Sequence, residues 1–257
     1  MSEHFEQPTA PQNMLLAGIV GSTAYGLATS DSDIDIAGVY AAPTVRWHGL
    51  RNPPESVVSR QGTKPDFVFH EIVKYLRMAM KCNPSIIELL WLDNHLIITP
   101  LGRELIDMRS MFLTRIKIRE TYLGCARSQY EQLTKSGKPL TEQKAAKYAR
   151  HIMRLLMQGI RLLETGELRV RLNDEEAEAV RYFAITAVRD PAMSAWVMNK
   201  YEDMFNAVYS PLPSQVNVRK VEEWLIKVRA HYLIHDDQTD FPWPQTAPCA
   251  PSETTFI

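Results

Sequence analysis

Cysteine is scarce in this chain of 257 residues: Cys82, Cys125 and Cys249 are odd in number and far apart. They make neither a disulfide framework nor a zinc motif, and the expected compartment is the reducing cytoplasm. Long hydrophobic runs are missing as well. No apolar stretch approaches the roughly 18 residues of a membrane span. The opening Met-Ser-Glu-His-Phe-Glu lacks the basic and apolar regions of a signal peptide, so no membrane partner is expected. A large net charge is also absent: 29 Lys and Arg against 30 Asp and Glu leave −1, which argues against a general polyanion binder. The remaining composition, 45% apolar and 9% aromatic with a mean hydropathy of −0.23, is that of a globular protein able to bury one large core or two small ones.

The even total conceals a segregation. Residues 114–171 hold thirteen Lys or Arg against five Glu, a local +8 that leaves the rest of the chain near −9. A local basic segment of this kind permits a site for a triphosphate or a nucleic acid.

The most informative string lies near the start. Met14 to Val20 is a short apolar run followed by Gly21 and Ser22, which suits a buried strand ending where glycine lets the backbone approach a ligand. A phosphate could be bound there by backbone N–H groups and the Ser22 hydroxyl. Thr23 to Ala28 is expected to form a short helix or turn, and Thr29-Ser-Asp-Ser32 is turn-rich, with Asp31 a turn or cap residue. Asp33 then opens an expected strand through Tyr40 in which Asp33 and Asp35 alternate with Ile34 and Ile36. Residues two apart on a strand leave the same face, so the two carboxylates can share a hard cation such as Mg²⁺, which relieves their repulsion.

Either half of this pattern alone carries little weight, because Gly-Ser is common and Asp-x-Asp in a loop is usually a solvated turn. The strand before, the spacing and the strand after supply the context that a motif needs. Two other Asp-x-Asp chemistries fit less well. A dehalogenase-type phosphatase places its nucleophilic Asp directly after an apolar strand, whereas Thr29 to Ser32 precede Asp33. A metal-dependent glycosyltransferase needs a larger nucleotide-binding domain ahead of the motif, and only about thirteen residues precede the first strand.

Gly-Ser, a spacer of about ten residues and Asp-x-Asp on a strand resemble the signature of nucleotidyltransferases related to DNA polymerase beta. The longer string Gly-Ser-x-Ala-Tyr-Gly-x-Ala-x-x-Asp-Ser-Asp-Ile-Asp is similar to a narrower branch, as are Glu71-Ile-Val-Lys-Tyr-Leu and Asn83-Pro-Ser-Ile-Ile-Glu-Leu-Leu downstream. That branch comprises predicted nucleotidyltransferases grouped with bacterial and phage RNA-repair genes. The likeness runs through most of residues 14–170 and is most specific at the first motif.

The resemblance implies a third carboxylate on a neighbouring strand. Asp66 fits, since it opens Asp66-Phe-Val-Phe-His70 after the turn-like Gly62-Thr-Lys-Pro65. Glu55 follows Pro53-Pro54 in an expected loop, and Glu71 reads as a first-turn helix acid. The implied chemistry is two-metal nucleotidyl transfer. Asp33, Asp35 and Asp66 hold Mg²⁺ or Mn²⁺, Asp66 helps deprotonate the attacking hydroxyl, and Gly21-Ser22 cradles the β- and γ-phosphates of the nucleoside triphosphate, ATP among them.

Farther along, a strand is expected near Ser56–Gln61, then a helix from Glu71 to Lys81 with Ile72, Leu76, Ala79 and Met80 on one face. Asn83-Pro84 should cap and open a short helix on which Glu88 reads as a solvated acid in preference to a minor site residue. Helical patterning resumes over 101–133, is broken by Lys135 to Pro139, and returns from Thr141 to Thr165-Gly166. On that last helix Lys144, Lys147, His151, Arg154 and Gln158 fall on one stripe, opposite Ala145, Ala149, Ile152, Leu156, Ile160 and Leu163. Such a stripe is ordinarily a solvated basic face. The resemblance places Lys, His and Arg at similar points of this helix, which implies that Lys147, His151 and Arg154 bind the nucleotide or the acceptor's phosphate.

The expected architecture is α+β. A nucleotidyltransferase core with a short mixed sheet occupies 1–98, an all-helical lobe 99–235, and a Pro-rich extended tail 236–257. The expected activity is transfer of a nucleoside monophosphate to a hydroxyl acceptor, with an RNA end foremost. A protein or small-molecule acceptor, and a regulatory NTP binder without chemistry, remain open. The sequence does not speak to oligomeric state.

Overall fold

The computed structural model describes residues 10–29, 32–60, 64–134 and 140–234. Its strands are β1 (Met14–Val20), β2 (Asp35–Tyr40), β3 (Ser56–Val58), β4 (Asp66–Glu71) and β5 (Ile97–Ile98), in the sheet order β3-β4-β2-β1-β5. β2 and β4 run parallel and every other pairing is antiparallel. The helices are α1 (Gly21–Tyr25), α2 (Ile72–Ala79), α3 (Pro84–Ile87), α4 (Pro100–Asp107), α5 (Arg115–Thr134), α6 (Glu142–Thr165), α7 (Asp174–Arg189), α8 (Pro191–Ala207) and α9 (Val218–Ile234). A mixed sheet with a helical lobe is the expected α+β class.

Two compact units emerge, and neither is continuous in sequence. The sheet unit takes Met1–Arg77, Leu92–Asp107 and Val218–Ile257, whereas the helical unit takes Met78–Trp91 and Met108–Asn217. A single boundary at 98 therefore describes the order along the chain rather than the packing. The expected tail at 236–257, the break at 135–139 and the turn residue Asp31 lie outside the described residues.

In the sheet unit, β1 coincides with the apolar run 14–20, and its first five residues are buried. Along β4, burial alternates: Phe67, Phe69 and Glu71 face inward, while Asp66, Val68 and His70 take the other face. The inward face is a core of Met14, Ala17, Ile36, Tyr40, Ala42, Phe67 and Phe69, with Trp47 and Val57 packed against it. The Phe67 and Phe69 rings stack at 4.9 Å between centroids. Burying each such aromatic or aliphatic side chain contributes about 1.5–3 kcal/mol.

Glu71 departs from expectation. It is the last residue of β4 rather than a helix acid, it is 1% exposed, and it accepts hydrogen bonds from the N–H groups of Ala42 and Val73. Its charge is matched by Arg229 of α9, whose Nη2 lies 2.8 Å from Oε1. Arg229 also donates to the Ala42 carbonyl at 3.2 Å and covers the Trp47 ring at 4.8 Å. Elsewhere on α9, Trp224 and Lys227 both donate to Glu104 of α4. The C-terminal helix is thereby clamped to the rest of the sheet unit.

In the helical unit, Asn83 caps α3 by accepting from the Ser85 N–H, with Pro84 in the first turn, as the sequence predicts. α6 begins at the Thr141 cap and ends at Gly166, whose φ of 71° is the left-handed conformation that suits glycine. Its apolar stripe is buried, with Ala149, Ile152, Leu156 and Leu163 at 0% exposure, and it packs on α5 and α7. Two expectations fail here. Glu88 is not solvated: it is 3% exposed and lies 3.9 Å from Arg154 Nη1. Arg154 and Gln158 leave the solvated stripe for the interior, where Arg154 donates to Gln158 Oε1 at 2.7 Å and Gln158 donates to the Arg169 carbonyl at 3.0 Å. Opposite charges and satisfied hydrogen bonds are what make such burial tolerable.

Candidate active site

Three sequence segments converge where β1 ends and β2 and β4 begin. Val20 pairs with Asp35 across β1 and β2, and Asp35 pairs with Asp66 across the parallel strands. Register partners present their side chains on the same face, so Asp35 and Asp66 stand side by side. That face is opposite the aromatic core.

Gly21 is needed at this junction for two separate reasons. Its φ is +71°, and a Cβ built on it would lie 2.5 Å from Asp35 Oδ2. An L side chain would be strained and would also push the carboxylate aside. Gly21→Ala is therefore expected to impair turnover at least about tenfold and lower thermal stability, read from initial rates and a melting curve. The motif's glycine thus makes room for its aspartate, an intramolecular role beside the phosphate contact the sequence suggests. Ser22 follows in α1, and its carbonyl accepts from the N–H groups of Gly26 and Leu27, closing the turn.

Asp33 is placed differently from expectation. β2 starts at Asp35, so Asp33 precedes the ladder and the two-residue strand argument does not apply to it. The local reason is a turn in which the Ser32 N–H donates to the Thr29 carbonyl and the Thr29 N–H donates to Ser32 Oγ. The exposed Asp33 carboxylate is met by Lys64 at 2.7 Å. This hydrogen bond, together with the nearby negative charge, raises the Lys64 pKa above its usual value.

Asp66 is exposed at the start of β4 and accepts a hydrogen bond from the Ser59 hydroxyl. At the far end of the same strand face, Lys74 donates to Ser56 Oγ at 2.8 Å, and Ser56 lies 2.8 Å from His70 Nδ1. Burial, then the Lys74 charge, lowers the His70 pKa. Lys64, Ser59 and Ser56 are polar residues that sequence reasoning missed. Ser56 opens the short β3, and Ser59 and Lys64 flank strands, so nothing local marks their side chains as partners of the site.

Among the described residues, no group of three or more His, Cys, Asp or Glu is gathered to hold a metal ion. The residues nonetheless suit a hard divalent cation, because two carboxylates on a register pair supply oxygen donors.

The α6 stripe belongs to the helical unit, away in sequence from these carboxylates. Lys144 and Lys147 are exposed on it, whereas Arg154 is engaged with Glu88 and Gln158. His151 is pushed down to about 4 by burial, then by Arg154, Lys147 and Arg150. It is neutral at pH 7 and can offer a hydrogen bond but not a cationic charge. Because its folded pKa lies below the unfolded value of about 6.5, the unfolded chain takes up the proton first as pH falls. Its contribution to stability is complete above about pH 6.5 and is lost progressively toward about pH 4. Urea titrations across that window should show a slope that His151→Gln flattens.

The described helices include none long and apolar enough to cross a membrane. No curated protein matches the chain significantly. Among solved structures, a nucleotidyltransferase-like protein from Exiguobacterium sibiricum 255-15 is similar at 9% identity and a TM-score of 0.31, over 86% of this chain and 74% of that one. A family model described as the RNA repair pathway DNA polymerase beta family matches residues 2–186, and the chain belongs to that family.

Proposed function

We propose that this protein transfers a nucleoside monophosphate from a nucleoside triphosphate to the hydroxyl of an RNA end and releases pyrophosphate. The observation that carries the reading is the Asp35–Asp66 register pair beside Gly21, in a chain of this family. Asp35 and Asp66, with Asp33, would hold Mg²⁺ or Mn²⁺, which supplies neutralisation of charge on the phosphate oxygens.

The chain's own residues have distinct tasks in this reaction. Gly21 and Ser22 contact the β- and γ-phosphates at the end of β1. Asp66 takes the proton of the attacking hydroxyl as its oxygen bonds to the α-phosphorus and the bond to the bridging oxygen of pyrophosphate breaks. Lys64, already a neighbour of Asp33, is a cation available to the polyphosphate. On α6, the exposed Lys144 and Lys147 are cations that an RNA phosphate could meet. Arg154 and His151 support that helix from within: Arg154 through its buried partners, and His151 as a neutral donor or acceptor.

The deciding experiment supplies each α-labelled nucleoside triphosphate with Mg²⁺ or Mn²⁺ and total RNA, then asks what carries the label. Label on RNA supports the proposal. Label on protein or on a small molecule overturns the RNA acceptor, and binding without label overturns catalysis itself.

A further inference from the structure

The Asp66 carboxylate stands on an exposed strand end, where a side chain ordinarily samples several rotamers. Here it is tied. Just past Val58, the last residue of β3, the Ser59 N–H donates to the Phe67 carbonyl at 2.9 Å. The Phe67 N–H donates to Ser59 Oγ at 3.2 Å, and Ser59 donates its own proton to Asp66 Oδ1. A hydroxyl has one proton, and the backbone N–H occupies an acceptor position on its oxygen. The Ser59 proton is thereby committed to the carboxylate, which fixes the carboxylate's orientation.

We propose that Ser59 is a positioning residue that holds the Asp66 carboxylate beside Asp35 in the orientation that receives a divalent cation. The inference rests on the carboxylate site described under Proposed function, and it adds a residue just past β3 that touches neither nucleotide nor metal. Partners in this outer position typically alter metal affinity about 10–100-fold when removed.

The test follows Mn²⁺ binding to the full chain by the loss of the free-ion paramagnetic resonance signal, without nucleotide. It compares the unmodified protein with Asp66→Asn and with the isosteric pair Ser59→Thr and Ser59→Val, alongside melting curves for each. Threonine keeps the hydroxyl and valine removes it at the same volume, so both report on folded protein. We expect Ser59→Thr to bind Mn²⁺ like the parent and Ser59→Val to bind about tenfold more weakly. If Ser59→Val binds as tightly as the parent while Asp66→Asn binds more weakly, the role of Ser59 is overturned and the carboxylate site stands. A lowered melting temperature for Ser59→Val without a change in Mn²⁺ affinity overturns that role equally. If Asp66→Asn and the parent bind Mn²⁺ alike, or neither binds it, the carboxylate site fails and the Ser59 proposal falls with it.

Discussion

Replacing Asp35 with Asn is expected to lower nucleotidyl transfer by at least about 10²–10³-fold, the scale on which removal of one preorganised electrostatic group acts. Asp35 has the most constrained position of the three carboxylates. It pairs with Val20 on one side and Asp66 on the other, and its Oδ2 fills the space that a side chain at residue 21 would take. Asn keeps nearly the same shape, so the backbone register and the Gly21 contact should survive. What is lost is the charge that would hold a divalent ion. Single-turnover rates at saturating triphosphate, with a melting curve for each protein, separate this outcome from misfolding. The reading fails if Asp35→Asn retains parental turnover with normal folding.

The second large effect is on stability and comes from α9. Arg229→Met should destabilise the protein by about 3–5 kcal/mol, because it leaves the carboxylate of Glu71 buried without its cation. For a protein of this size that is a fall in melting temperature on the order of 10 °C. Loss of the guanidinium from the Trp47 ring adds up to about 1–2 kcal/mol. The Glu71→Gln and Arg229→Met double variant should be clearly more stable than Arg229→Met alone, since a neutral amide does not need the partner. Equilibrium denaturation of the two single variants and the double variant checks this. Equal destabilisation by Arg229→Met with and without Glu71→Gln would show that the pair is not the source. The same carboxylate, after burial, pushes the pKa of Tyr40 up to about 12, so that tyrosine remains protonated through any ordinary assay range.

These two sites also mark what could be read from the chain and what could not. β1 and the start of the site were legible because local signals agreed there: an apolar run, a glycine, and a polar turn before an alternating strand. Asp66 was legible only through the resemblance, as a third carboxylate sought on an extended segment. Glu71 and Glu88 were misread for one physical reason. An acid on a short segment looks solvated until its cation is known, and those cations, Arg229 and Arg154, come from helices far along the chain. Arg154 is the same error seen from the other partner, because helical spacing fixes a stripe but not which part of it is buried. Asp33 shows the limit of motif geometry. The spacing implies a shared strand face, but the strand begins at Asp35, and Lys64 approaches Asp33 from a segment that no periodicity connects to it.

The sheet unit is built from both the early part of the chain and residues 218–234, with the helical unit's residues emerging between them. During synthesis the five strands are available well before α9 leaves the ribosome, yet Glu71 cannot bury its charge favourably until Arg229 arrives. The Asp35–Asp66 pair is therefore on a fully clamped sheet only once residues 218–234 have been made, and a nascent or truncated chain lacking them presents Gly21, Asp35 and Asp66 on an incompletely clamped sheet.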